Sequence, residues 1–169
     1  HALEEPGKIQ RTNSHASPTP IVEGDRVEVH FGAHGTGCVS TDGKLLWVTK
    51  LEYEHRHGPG GSPVLYGDLL ILSCDGTDVQ YVVALDKHTG KERWKSTREG
   101  RMAYSTPLVI NVDGQDQLVS TGGDAVIAYE PATGKEIWRV RYDGYSIVPR
   151  PVVGHGMIYV CTGYDHPWL

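Results

Sequence analysis

Four loops in this chain of 169 residues place a hydroxyl beside a histidine, a tyrosine or an arginine, each ahead of a proline. They read Asn13-Ser14-His15-Ala16-Ser17, His57-Gly58-Pro59-Gly60-Gly61-Ser62, Ala103-Tyr104-Ser105-Thr106 and Tyr145-Ser146-Ile147-Val148-Pro149-Arg150. Hydroxyls, rings and a guanidinium gathered on one rim would make a polar pocket for a small ligand or a protein segment. Ser14, His15, His57, Ser62, Tyr104, Ser105, Tyr145 and Arg150 are the ligand-binding candidates. The same Ser and Thr residues have a structural use, because a hydroxyl before a proline can satisfy backbone groups where a strand begins.

Two further sets have the chemistry of metal ligands. Asp75, Asp124 and Asp165 occupy corresponding places, with His34 standing at that place in the first unit. Three carboxylates suit Ca²⁺, which takes six to eight oxygens at ~2.3–2.6 Å. Asp beside Gly, as in Asp75-Gly76, is equally ordinary turn chemistry. Nine histidines is a high count, and His30, His34, His55 and His57 are bunched. In an extended segment, His55-Arg56-His57 would put two rings on one side, a spacing able to ligate Zn²⁺ or Cu²⁺. Histidines in exposed loops beside Glu52 and Glu54 are the plainer reading.

Several chemistries are excluded. The sequence has neither the Gly-x-Ser-x-Gly of a serine hydrolase nor Cys-x-x-Cys-His for haem attachment. Net charge is −5 and no basic run exceeds two residues, which argues against nucleic acid as a partner. No stretch approaches the ~18 apolar residues of a membrane helix. The three cysteines, Cys38, Cys74 and Cys161, are expected as small buried hydrophobes without a disulfide.

What positions these residues is a repeat. Trp47, Trp94 and Trp138 are 47 and 44 residues apart, each after a Gly-Lys turn: Asp42-Gly43-Lys44, Thr89-Gly90-Lys91 and Thr133-Gly134-Lys135. Thr19-Pro20, Ser62-Pro63, Thr106-Pro107 and Arg150-Pro151 follow at 43, 44 and 44. Two landmarks in phase define a unit of ~44 residues. Within it, short apolar runs alternate with turns: Ser62 to Leu65, Leu69 to Cys74, Tyr81 to Asp86 and Glu92 to Ser96. No run carries a 3.6-residue period, so helical repeats are excluded. Four short antiparallel strands per unit predict an all-β fold, a β-propeller of about three complete four-stranded blades plus the first strands of a fourth. The expected units are 17–51, 61–97, 105–142 and a partial 150–169, one propeller domain after an N-terminal segment 1–16. A fourth tryptophan would be due near position 182 by adding ~44, so the chain is expected to stop mid-blade. Trp47, Trp94 and Trp138, with Gly90 and Gly134 in the turns, are expected to be structural. A flat side chain burying ~150–250 Å² fills the gap between blades.

Ala84-Leu85-Asp86-Lys87-His88-Thr89-Gly90-Lys91-Glu92-Arg93-Trp94 and Ala128-Tyr129-Glu130-Pro131-Ala132-Thr133-Gly134-Lys135-Glu136-Ile137-Trp138 closely resemble the tryptophan-docking repeat of the PQQ-like (quinoprotein alcohol dehydrogenase-like) β-propellers. The resemblance spans roughly residues 17–165 and implies a ring of seven or eight blades, of which this chain is about half. It implies a periplasmic or extracytoplasmic setting. Catalytic members of that family hold the quinone PQQ with Ca²⁺ beside adjacent cysteines; this chain has no Cys-Cys pair. Other members are scaffolds. The expectation is therefore a non-catalytic module that binds a protein or small ligand through its channel-mouth loops, with part of a PQQ-dependent dehydrogenase of alcohols or sugars as the alternative. The missing blades are expected from the same protein or a second copy, because soluble proteins seldom leave large apolar faces open.

Overall fold

The computed structural model describes residues 9–164. Three four-stranded antiparallel sheets follow one another. The first is Ile21–Glu23 (β1), Arg26–His30 (β2), Thr36–Ser40 (β3) and Leu45–Thr49 (β4); the second is Val64–Tyr66 (β5), Leu69–Asp75 (β6), Gln80–Asp86 (β7) and Glu92–Thr97 (β8). The third is Leu108–Val112 (β9), Gln115–Thr121 (β10), Ala125–Tyr129 (β11) and Glu136–Arg141 (β12), and a hairpin of Val152–Gly154 (β13) and Met157–Tyr159 (β14) follows. Each sheet pairs its strands in sequence order, as a propeller blade does. A 3-10 turn, Gly32–His34, interrupts the first blade between β2 and β3.

Neither face of a blade is left to water when it has a neighbour. Cys38 and Trp47 of blade 1 pack on Leu70, Leu72, Cys74 and Tyr81 of blade 2. The opposite face of blade 2, with Ile71, Val82 and Ala84, packs on Leu118, Ile127 and Tyr129 of blade 3. Val119, Val126 and Ala128 then turn to Ile158 and Val160 of the fourth unit. Strand alternation sends successive side chains to opposite faces, so adjacent residues of β6 serve two interfaces. This is why β6 and β7 are almost continuously apolar. Cys38 and Cys74 are buried free thiols, and Cys161 is half-buried.

The repeated tryptophan has a defined seat. The Trp47 indole N–H donates to Lys87 O at 2.9 Å, and the Trp94 indole to Pro131 O at 3.0 Å. Both acceptors belong to the hairpin of the following blade. Gly90 and Gly134 sit in those hairpins at φ +71° and +72°. A Cβ on Gly90 would overlap the Trp47 ring, and one on Gly134 the Trp94 ring. Glycine is required there twice over, by the left-handed backbone and by the ring above it. Thr49 Oγ1 donates to Gly90 O at 2.6 Å and Ser96 Oγ to Gly134 O at 2.5 Å, closing each contact from the side. Trp138 has no such hairpin among the described residues and donates to Gln117 of its own blade at 2.7 Å.

A β-bulge aims each ring. The pairing between third and fourth strands shifts at Cys38/Val39, Ala84/Leu85 and Ala128/Tyr129, beside the pairs Cys38↔Trp47, Ala84↔Trp94 and Ala128↔Trp138. A bulge bends the strand and re-aims the next side chain. Three bulges at one register position are part of the repeat.

A substitution separates the two demands on glycine. Gly67 has φ +55° with open space around it, so Gly67→Ala is expected to cost about 1–2 kcal/mol from backbone strain alone. Gly90→Ala adds overpacking against the indole and is expected to cost about 2–5 kcal/mol. Urea unfolding of the intact protein measures both; equal losses would mean the ring does not rest on Gly90.

Candidate functional site

The linkers between blades run to one rim. There Met102 to Tyr104 pairs with the next linker: Tyr104 N–H donates to Ile147 O at 2.7 Å and Ser146 N–H to Met102 O at 2.8 Å. On the other side, Asn13 Nδ2 donates to His57 O at 2.7 Å. These contacts enclose a groove of about 690 Å³ whose lining includes His57, Tyr104, Tyr145, Arg56, Asn13 and Met102. The His57 and Tyr104 rings lie 5.9 Å apart, centroid to centroid, and the Arg101 guanidinium sits 4.8 Å over the Tyr145 ring. Burial raises the Tyr104 phenol above its ordinary pKa, so it is a neutral hydroxyl at physiological pH. Among the described residues the groove is thus lined by rings, amides, hydroxyls and one guanidinium, without a carboxylate.

Of the eight ligand candidates, His57, Tyr104 and Tyr145 come together in this groove. The others lie elsewhere. Ser14 closes a local turn, accepting from Ala16 N–H at 3.0 Å. Ser62 is a strap between blades: its Oγ accepts from Thr19 N–H and its own N–H donates to Thr106 Oγ1, both at 2.9 Å. Ser105 Oγ donates to Pro149 O at 2.9 Å in the same manner. The hydroxyls ahead of the prolines satisfy strand-start backbone as expected, but the backbone served belongs largely to the neighbouring blade. Arg150 is exposed and outside the groove, and His15 faces a different cluster.

Asp75 and Asp124 each face an arginine. Asp75 is buried and held by Arg98, whose Nε reaches Oδ1 at 2.8 Å while Nη1 donates to Ser120 Oγ at 3.0 Å across the blade 2–3 interface. Burial pushes the Asp75 carboxyl up and would push Arg98 down; the facing carboxylate reverses the latter, leaving Arg98 raised. Asp124 accepts from Arg101, which also donates to Asp143 at 2.7 Å. That hydrogen bond holds the Asp124 carboxyl below its ordinary value. Asp75 and Asp124, two of the three calcium candidates, are each paired with their own arginine. Asp165 lies outside the described residues. Arg98 and Arg101 carry no motif in the sequence; their pairing with residues 23 positions earlier and later is set by blade geometry.

The His55-Arg56-His57 reading also changes. The chain bends at Arg56 and His57 instead of running extended. His57 turns to Tyr104, while His55 turns to His34 at 5.2 Å between centroids. His30 is buried between Thr36 Oγ1 at 2.8 Å and the Tyr53 hydroxyl at 3.4 Å. Burial, then the neighbouring His55, lowers its pKa from 6.5 to about 3.

A ring of such blades, joined by tryptophans seated on hairpin glycines, defines a β-propeller of the PQQ-like class. The family described as outer membrane protein assembly factor BamB matches residues 78–167. The chain belongs to the PQQ-like β-propeller family. Among solved structures, BamB from Moraxella catarrhalis superposes with a TM-score of 0.58 at 20% identity, over 82% of this chain and 40% of that one. Quinohemoprotein alcohol dehydrogenase from Comamonas testosteroni gives 0.58 at 19% identity, over 76% and 21%. A protein of Mycolicibacterium smegmatis (strain ATCC 700084 / mc(2)155) named UDP-N-acetylenolpyruvoylglucosamine reductase is 30% identical over 175 residues, covering 86% of this chain and 43% of that protein. The chain spans less than half the length of each of these relatives. No helix among the described residues is long and apolar enough to cross a membrane.

Two measurements check the site. Arg98→Met leaves Asp75 buried without a partner and is expected to cost about 3–5 kcal/mol, whereas the double change with Asp75→Leu recovers most of the loss; no recovery would mean the pair is not coupled. His30 binds its proton more weakly folded than unfolded, so its contribution is full above pH ~6.5 and is lost as pH falls towards 3. Unfolding free energy is expected to drop on acidification by up to about 1.4 kcal/mol per pH unit from this group, and His30→Gln to flatten that part of the profile.

Proposed function

We propose that this chain is a segment of a PQQ-like propeller that works without quinone chemistry, presenting the groove between its blade linkers to a protein segment or small ligand. The observation that carries this reading is the chemistry of the lining: rings, amides, hydroxyls and Arg56, with no carboxylate for Ca²⁺ among the described residues. Asp75 and Asp124 are engaged by Arg98 and Arg101. The absence of a Cys-Cys pair points the same way, and these residues do not fit a quinone with its calcium. The likeness to BamB supports a role in contacting other proteins, in the periplasm or another extracytoplasmic space. The activity named for the M. smegmatis relative is not carried over, since this chain spans 43% of that protein.

The ring is completed by further blades of the same protein or by a second copy. Val22 and Val48 are 66% and 68% exposed on the face of blade 1 turned away from blade 2. Val152 and Met157, on the outer face of the fourth unit, are 62% and 53% exposed. Apolar blade faces at both ends are surfaces for blades.

The intact protein titrated with PQQ and Ca²⁺ is expected to retain no quinone on gel filtration and to give no dye reduction with alcohols or sugars. Retained quinone with dye reduction that Tyr104→Ala abolishes would overturn this reading in favour of a dehydrogenase.

A further inference from the structure

Three histidines distant in sequence meet at one edge of blade 1. His15 comes from the segment before β1, His34 ends the 3-10 turn between β2 and β3, and His55 lies on the linker from β4 to β5. The rings stand edge to face, with centroids 5.0 Å apart for His15 and His34 and 5.2 Å for His34 and His55. One ring nitrogen from each lies within 4.8 Å of the other two. All three residues are half-buried.

Two ring nitrogens of this cluster have no partner in the protein alone. His15 Nδ1 and His34 Nε2 are buried atoms without a hydrogen-bond partner. Leaving a buried polar atom unpaired costs about 1–3 kcal/mol, and native structures seldom tolerate it without a reason. The third ring is held less tightly than it could be: Ala33 N–H donates to His55 Nδ1 at a long 3.2 Å. A neutral imidazole has one lone pair, so an ion bound by His55 replaces this contact. The backbone at Gly32 makes room, since a Cβ there would come within 2.6 Å of His55 Nδ1.

We propose that His15, His34 and His55 form a three-histidine site for a divalent transition metal, Zn²⁺, with a water as its fourth ligand. Imidazole nitrogens bind zinc at ~2.0–2.1 Å in a tetrahedron, so small ring movements bring the three inward. With three nitrogens and no carboxylate among the described residues of the cluster, Ca²⁺ and Mg²⁺ are poor matches. Burial, then the neighbouring rings, holds His34 and His55 below the ordinary histidine value, which leaves their lone pairs unprotonated at neutral pH. The ion would fasten the segment before blade 1 to the linker that carries His57 into the groove. Packing of three neutral rings is the competing explanation, and it leaves the two orphaned nitrogens unexplained.

The intact protein, stripped with chelator and dialysed, is titrated with Zn²⁺ and separately with Co²⁺. The expected result is about one ion per chain, an intense visible Co²⁺ spectrum of four-coordinate type, and affinity lowered more than about a hundredfold by His15→Ala or by His34→Ala. His88→Ala, an exposed histidine beside Asp68, leaves binding unchanged. Absence of bound zinc at micromolar concentration overturns the proposal, as does binding that survives in the His15→Ala/His34→Ala double variant. Should either variant fail to fold, the Co²⁺ spectrum of the unaltered protein decides: a weak six-coordinate spectrum overturns the site.

Discussion

The seat of one indole on the left-handed glycine of the next blade sets the spacing of everything else. A four-stranded blade is apolar on both faces and cannot bury either alone. Trp47 over Gly90 and Trp94 over Gly134 fix where the next blade stands, because ring plane, indole N–H and flanking hydroxyl each meet a different atom of the same hairpin. The bulges opposite the tryptophans turn the rings into that position. With the outer edge fixed, central strands such as β7 and β11 can be largely apolar, and their interfaces form by alternation.

The groove is a consequence of that spacing. Each blade delivers its linker to the same rim, so residues some 44 positions apart in sequence become neighbours. The straps from Thr19 to Ser62 and from Ser62 to Thr106 hold the entry points of successive blades in step. Below the rim, Asp75 with Arg98, and at it Arg101 with Asp124 and Asp143, pin the linkers to their blades. The groove walls therefore rest on ion pairs and backbone bonds, while the rings of His57, Tyr104 and Tyr145 line the groove.

The propeller class was legible because its signals are local and repeat: a tryptophan, a Thr-Gly-Lys turn, a Ser/Thr-Pro start. The bulges were not, since an extra residue between strands leaves no mark in the alternation until the partner strand is known. Half-legible were the rim residues. Tyr104 and His57 could be placed on one rim by phase, whereas Ser62 and Ser105 have the same residue types and serve the backbone instead. Asp75 and Asp124 looked like a set because they share a phase; Arg98 and Arg101, which claim them, do not stand in any motif. The meeting of His15, His34 and His55 had a faint signal in the number and bunching of histidines. It was missed because the three sit in unlike loops, and phase says nothing about loops that differ.

The central claim is that the tryptophans are interlocked with the neighbouring blade and do not simply cover its edge. Hydrogen exchange of the indole N–H groups in the intact protein, followed by NMR with labelled tryptophan, tests it most directly. The account predicts that Trp47 and Trp94 exchange as slowly as the core amides of β7 and β11, through global opening. Exchange of either indole at the rate of a free side chain would contradict it.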